Sequence, residues 1–246
     1  MDYRNTVEFS VKGDYALFSD PATRVGGEKS SYHIPTYEAL KGILHSVYWK
    51  PTLIWYIDKV RVINPIQTVA QNVRPIDYNS NANDLSIYTY LRDVCYQVKA
   101  HFDWNINRPE LLKDRDENKH HNIAKRMIER GGRRDIFLGT RECQGYVEQC
   151  IFGEGSGFYD EIPELDFGFM FHGFTYADEA VCDDEKNKLT ARFFRPVMKK
   201  GVVSFPMPEE CEKKYRRILR DYPMKLFGED NFTGIAEFDE KGGVEL

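Results

Sequence analysis

Apolar and polar positions alternate at the start of the chain. In TVEFSVKG, Val7, Phe9 and Val11 are separated by polar neighbours, which predicts a half-buried strand. After a Gly- and Ser-rich loop around Gly26-Gly27, PTYEALKGILHSVYWKP sets Leu40, Ile43, Leu44 and Val47 at helical spacing. Pro35 stands near the start of that helix and Pro51 stops it. Tyr48 continues the same stripe, and on spacing alone it is a core position. TLIWYIDKVRVI reads as a strand, and residues 64–87, with Pro65, Pro75 and the run Asn79 to Asn83, as a long insertion or projecting hairpin. YLRDVCYQVKAHFDW is a further strand. HNIAKRMIERGG is a helix with Ile123, Met127 and Ile128 on one side and Gly131 as its C-terminal signal. GYVEQCIFG closes the series as a strand, with Phe137 and Tyr146 assigned to the core.

The order β-α-β-β-α-β predicts an α+β protein with a ferredoxin-like domain over residues 1–152. Beyond it, FGFMFHGF, LTARFFRPV and GVVSFP are short apolar runs between turns and acidic loops. They predict a smaller β-rich domain over residues 153–246. A single larger mixed sheet is the alternative.

Composition changes this picture little. With 246 residues and 41% apolar content the chain can bury a sizeable core. No stretch approaches the roughly 20 apolar residues of a membrane span, and MDYRNTVEFSVKGDY lacks the charged and apolar regions of an export signal. A cytoplasmic protein with no membrane partner is expected. The five scattered cysteines read as reduced thiols, without C-x-x-C spacing.

Charge changes it more. A net charge of -5 argues against a polyanionic partner, but the average conceals two unlike segments. From Lys113 to Arg141 nine basic residues face five acidic ones; from Glu154 to Lys186 ten acidic residues face one basic. The second segment is expected to face away from a polyanion bound by the first.

Inside the basic segment, RDENKHHNIAKRMIERGGRRD places Lys119, His120 and His121 at the start of a helix. Backbone N–H groups and the dipole there favour an anion and disfavour resident cations, so the cluster invites an anionic ligand. Adjacent histidines on a helix point about 100° apart and share one ion poorly, so neither a metal site nor a cofactor is expected. The glycine pairs lack P-loop spacing, and no cysteine stands in a nucleophile motif. Metal-free acid–base chemistry on a phosphate remains, with the 2′-hydroxyl of RNA as an internal nucleophile. The residues alone leave open that Lys119 and His121 are solvated and His120 a hydrogen-bonded, half-buried side chain.

Several stretches together resemble a known family over almost the whole chain: VEFSVKGDYALFSDP, GGEKSSYHIPTYEALKGILHSVYWKP, INPIQ, YTYLRDVCYQVKAHF, ENKHH and GGRRDIFLGTRECQGYV. They are similar to the CRISPR-associated protein of the fifth family in its subtype I-C form. The resemblance implies an endoribonuclease that cuts the repeat hairpins of precursor guide RNA, leaving a 2′,3′-cyclic phosphate and a 5′-hydroxyl. It further implies that the protein stays with the mature guide RNA among the other subunits of the type I-C surveillance complex. The alternative is a non-catalytic subunit that holds the 5′ end of the guide RNA and serves assembly.

The catalytic residues carried over are Tyr48 in SVYWKP and Lys119 and His120 in ENKHH; the family pattern is not histidine-specific at His121. His120 would serve as base or acid, Lys119 would hold developing charge, and Tyr48 would position the RNA or act as a base assisted by Lys119. Lys29, Arg74, Arg133, Arg134 and Arg141 are candidate RNA contacts.

Overall fold

A computed structural model describes residues 3–23, 28–74 and 85–224. The Gly26-Gly27 pair and the tip of the expected hairpin, with Pro75 and Asn79 to Asn83, lie outside the described residues.

The strands are β1 (Val7–Ala16), β2 (Lys29–Ser30), β3 (Leu53–Val62), β4 (Thr68–Val73), β5 (Ser86–Trp104), β6 (Ile136–Phe137) and β7 (Gln144–Gln149). They are followed by β8 (Leu165–Asp166), β9 (Met170–Thr175), β10 (Lys188–Phe194), β11 (Val197–Lys199), β12 (Val202–Ser204) and β13 (Arg216–Asp221). Helix α1 (Tyr37–Val47) lies between β2 and β3, and α2 (Glu117–Glu129) between β5 and β6. The protein is thus mixed α+β, with mostly antiparallel sheets and few helices.

The main sheet runs β6-β7-β1-β5-β3-β12-β11-β8. At its centre, Val7 to Ala16 of β1 pair antiparallel with Ala100 to Leu91 of β5, and β3 pairs along the other side of β5. β5 is 19 residues long and outruns this core. Its first residues pair instead with β4, Thr68 opposite Leu91 and Val73 opposite Ser86, so the insertion is an antiparallel hairpin arm as its sequence predicts.

Period-two burial drives the sheet: Val7, Phe9 and Val11 are inside while their neighbours are not. Helix α1 lays Leu40, Ile43, Leu44 and Val47 onto the face that carries Trp55, Val60 and Val98. Each such buried side chain contributes about 1.5–3 kcal/mol. Helix α2 packs on β7 and β1 and touches α1. Tyr146 corrects the sequence reading: in β7 it is Gly145 and Val147 that point inward, so Tyr146, one position out of phase, is 57% exposed. Phe137 is half-buried.

The segment after residue 152 does not keep to itself. β12 pairs with β3, Val202 opposite Arg61, and carries β11 and β8 onto the main sheet. β13-β10-β9 form a second, three-stranded sheet. Among the described residues no helix is long and apolar enough to cross a membrane.

Candidate active site

Two turns of chain converge where α1 ends and α2 begins. Thr36 caps α1 at its start, its side chain accepting from the Ala39 N–H. At the other end Tyr48 is already extended, at φ -156° and ψ 124°, which turns its ring away from the helix stripe and toward α2. The carbonyl of Tyr48 accepts from the Trp55 indole at 2.8 Å, and its N–H donates to Leu44 O at 2.7 Å, so the backbone at this corner is held on both sides.

Helix α2 starts at Asp116, whose side chain accepts from the Lys119 N–H at 3.0 Å. That cap fixes the phase of the helix. Lys119 points outward, His120 inward, and His121 sideways to Thr6 O at 2.9 Å from its Nε2. The anion expected at this helix start is supplied by the chain itself, through Asp116 at the cap and Asp114 beyond it.

His120 is fully buried, with the rings of Phe102 and Trp104 edge-on around it. Its Nε2 lies 2.7 Å from the carbonyl oxygen of Asp114, and its Nδ1 lies 2.7 Å from Tyr48 Oη. A carbonyl only accepts, so Nε2 carries a proton. In the neutral ring Nδ1 is then the acceptor, and the Tyr48 hydroxyl donates to it. Tyr48 itself is 4% exposed. Burial and the Asp114 carboxylate push its pKa up against the pull of Arg133, so the phenol is protonated at neutral pH.

Asp114, which sequence reasoning could not choose over Asp116, links the rest. Its carboxylate accepts from Lys119 Nζ at 2.6 Å and from Thr52 Oγ1 at 2.7 Å, and one oxygen lies 3.6 Å from His120 Nε2. The hydrogen bonds from Lys119 and Thr52 hold this carboxyl below the usual range. Lys119 is therefore committed to Asp114, and nothing places it against Tyr48 to lower the phenol's pKa.

The structure brings together Tyr48, Lys119 and His120, and with them two of the five candidate RNA contacts. The N–H groups of Arg133 and Arg134 both donate to Ser46 O, at 3.2 and 3.0 Å, which pins these exposed arginines beside the end of α1. The other three lie elsewhere. Lys29 pairs opposite Tyr88 and stands over its ring, Arg74 follows the last residue of β4, and Arg141 adjoins Glu142, which accepts from Tyr90. Tyr88 and Ser86, which mark the levels of Lys29 and Arg74, are 14 and 16 residues along β5 from Phe102, roughly 45–55 Å at about 3.3 Å per residue.

Fold and site define a mixed α+β protein with a buried Tyr–His pair set beside a group of cations. The family described as CRISPR-associated protein (Cas_Cas5), in its Cas5d form, matches residues 6–206, and the chain belongs to that family. It is 25% identical over 230 residues to a protein of Mannheimia succiniciproducens named CRISPR pre-crRNA endoribonuclease Cas5d, covering 82% of this chain and 95% of that one. A Thermus thermophilus protein of the same name is 26% identical over 187 residues, 70% of this chain and 75% of that one. Two solved structures are also similar. One is a CRISPR-associated protein, 38% identical with a TM-score of 0.70 over 84% of this chain and 94% of the other. The second is a functionally uncharacterized protein from Streptococcus mutans, 41% identical with a TM-score of 0.68 over 84% and 95%.

Proposed function

We propose that this protein is an endoribonuclease that cuts the repeat hairpins of precursor guide RNA by internal attack of a 2′-hydroxyl and remains bound in a type I-C surveillance complex. The observation that carries the reading is the 2.7 Å contact between Tyr48 Oη and His120 Nδ1, backed by Asp114 and flanked by Lys119.

The proton path runs as follows. The RNA 2′-hydroxyl gives its proton to Tyr48 Oη as Tyr48 passes its own to His120 Nδ1, so the phenol is never left ionised. The 2′-oxygen bonds to phosphorus and the bond to the 5′-oxygen breaks; that oxygen takes a proton from the Lys119 ammonium and leaves as the 5′-hydroxyl, and Lys119 regains its proton from solvent. The imidazolium formed on His120 is stabilised by the carbonyl and carboxylate of Asp114. Lys119, an ammonium with three donors and one of them on Asp114, offers the others to the phosphorane oxygens and the leaving oxygen. Nucleophile, acceptor and cation are all supplied by RNA and protein, so the reaction requires no metal.

The strand order β7-β1-β5-β3, with α1 and α2 in contact, supports reading residues 1–152 as a ferredoxin-like unit that holds this chemistry. In the same reading residues 153–246 brace it. The complete burial of His120 favours a second reading, in which the pair is structural and the protein only holds guide RNA.

Cleavage of the repeat RNA in EDTA separates the two. The expected result is cutting without added metal and none when the scissile nucleotide carries a 2′-deoxyribose. A strict need for Mg²⁺, or cutting of the deoxy-substituted RNA, would overturn the mechanism; binding without any cutting would leave the second reading.

A further inference from the structure

Beside Tyr48 lies a cleft of about 380 Å³ lined by His45, Trp49, Lys50, Pro51, Arg133 and Arg134. Trp49 is unlike the other two tryptophans. Trp55 is fully buried and Trp104 half-buried, whereas Trp49 leaves 46% of its surface in solvent at the mouth of the cleft. A large aromatic side chain held in the open at the end of a helix is not explained by packing, since nothing of the core is closed by it.

The surroundings say what would cover it. Lys50, Arg133 and Arg134 are exposed, and none has an ion-pair partner among the described residues. Among the described residues no carboxylate lines the cleft. His45 stands 6.4 Å from the Trp49 ring, and burial together with the Lys41 charge pulls its pKa to about 4, so at neutral pH it presents an uncharged ring. A flat aromatic face with an uncharged ring behind it and three unpaired cations around it fits a planar group that carries a phosphate. The backbone bonds from Arg133 and Arg134 to Ser46 O fix this rim to the turn that carries Tyr48.

We propose that this cleft holds one unpaired nucleotide of the RNA, its base stacked on Trp49 and its phosphate between Arg133 and Arg134, next to the phosphate presented to Tyr48. The nucleotide is the one that leaves the foot of the hairpin, because a base inside the stem has both faces covered by its stacked neighbours. Position beside the scissile phosphate rests on the endonuclease reading; the nucleotide site does not.

The test uses the full chain and a repeat hairpin with single-stranded flanks, made uncleavable by 2′-deoxyribose at the scissile position. Binding is followed by anisotropy for wild type, Trp49→Phe and Trp49→Ala. Stacking on an aromatic side chain is worth about 1–3 kcal/mol, so Trp49→Ala should weaken binding by about 5-fold to 150-fold while Trp49→Phe stays within about 2-fold. An abasic site walked through both flanks should reproduce that loss at one position, and at that position Trp49→Ala should cost nothing further. If Trp49→Ala binds like wild type, or its loss is the same at every abasic position, the nucleotide site is wrong. If the cycle closes at one position but the unmodified RNA is never cut, the site stands and the cleavage mechanism falls.

Discussion

The Tyr48–His120 contact sets what single substitutions do. Tyr48→Phe keeps the ring in the core but leaves Nδ1 of a fully buried imidazole without its donor, which costs about 1–3 kcal/mol of stability. Cleavage should fall by about 10²-fold or more if the hydroxyl relays the proton. Single-turnover rates measured well below the melting temperature keep the two effects apart, and near wild-type cutting by Tyr48→Phe would return Tyr48 to a purely structural role. His121→Ala is the contrast. It loses one hydrogen bond, to Thr6 O, for about 1 kcal/mol, and should cut at the wild-type rate. The sequence made these residue types visible but not their orientation: Tyr48 continues the apolar stripe of α1, and only the extended backbone at the helix end turns its hydroxyl onto His120. Asp114 was illegible for a related reason. Two aspartates precede the helix at a spacing of two, and which one caps and which one bridges is decided by the turn between them.

At the scale of elements, the cap of α2 is what delivers Lys119 and His120 to opposite sides of one surface. Asp116→Ala removes the acceptor for the Lys119 N–H and should lower stability by about 0.5–2 kcal/mol, read as a fall in melting temperature. Asp116→Asn retains an oxygen there and should lose little. Equal losses in the two variants would mean that charge rather than the cap holds the helix start. The far end of α2 was plain in the sequence: Gly131 at φ +81° donates to Ile128 O and Gly132 to Met127 O, the double bond that ends a helix on a left-handed residue. Both helices and the long strands were likewise legible, because their apolar periods run for ten or more residues. The strands β8, β11 and β12 are two or three residues long, and so short a run carries no period and no hint of its partner.

That missing information matters most at the scale of the whole molecule, where the chain after residue 152 returns to the main sheet and also closes over α1. Arg61 of β3 bonds to Asp160, Glu154 O and Gly155 O, tying the two segments near their junction. Over α1 lies a buried polar seam. Lys41 pairs with Glu179, the Phe174 N–H donates to Glu38, and Arg192 reaches both His172 and Thr175. His172 is completely buried, stacked on Tyr37 with ring centroids 4.2 Å apart, its Nε2 donating to Pro206 O at 3.0 Å. Burial and the neighbouring Arg192 guanidinium pull its pKa to about 3. A histidine in the unfolded chain titrates near 6.5, so between these values the unfolded chain binds a proton that the folded one refuses. Stability therefore falls as pH drops below about 6.5 and goes on falling toward about 3. His45, lowered to about 4, adds in the same direction, while Glu38, raised by burial, acts against both. Between about pH 7 and pH 5 the histidine at 172 alone accounts for about 2 kcal/mol. His172→Gln, which keeps a donor for Pro206 O, should be less stable than wild type at pH 7 but should lose about 2 kcal/mol less on acidification, as measured by urea unfolding at the two pH values. An unchanged pH dependence in that variant would show that His172 accepts its proton in the folded state and that the seam opens in acid without unfolding the sheet.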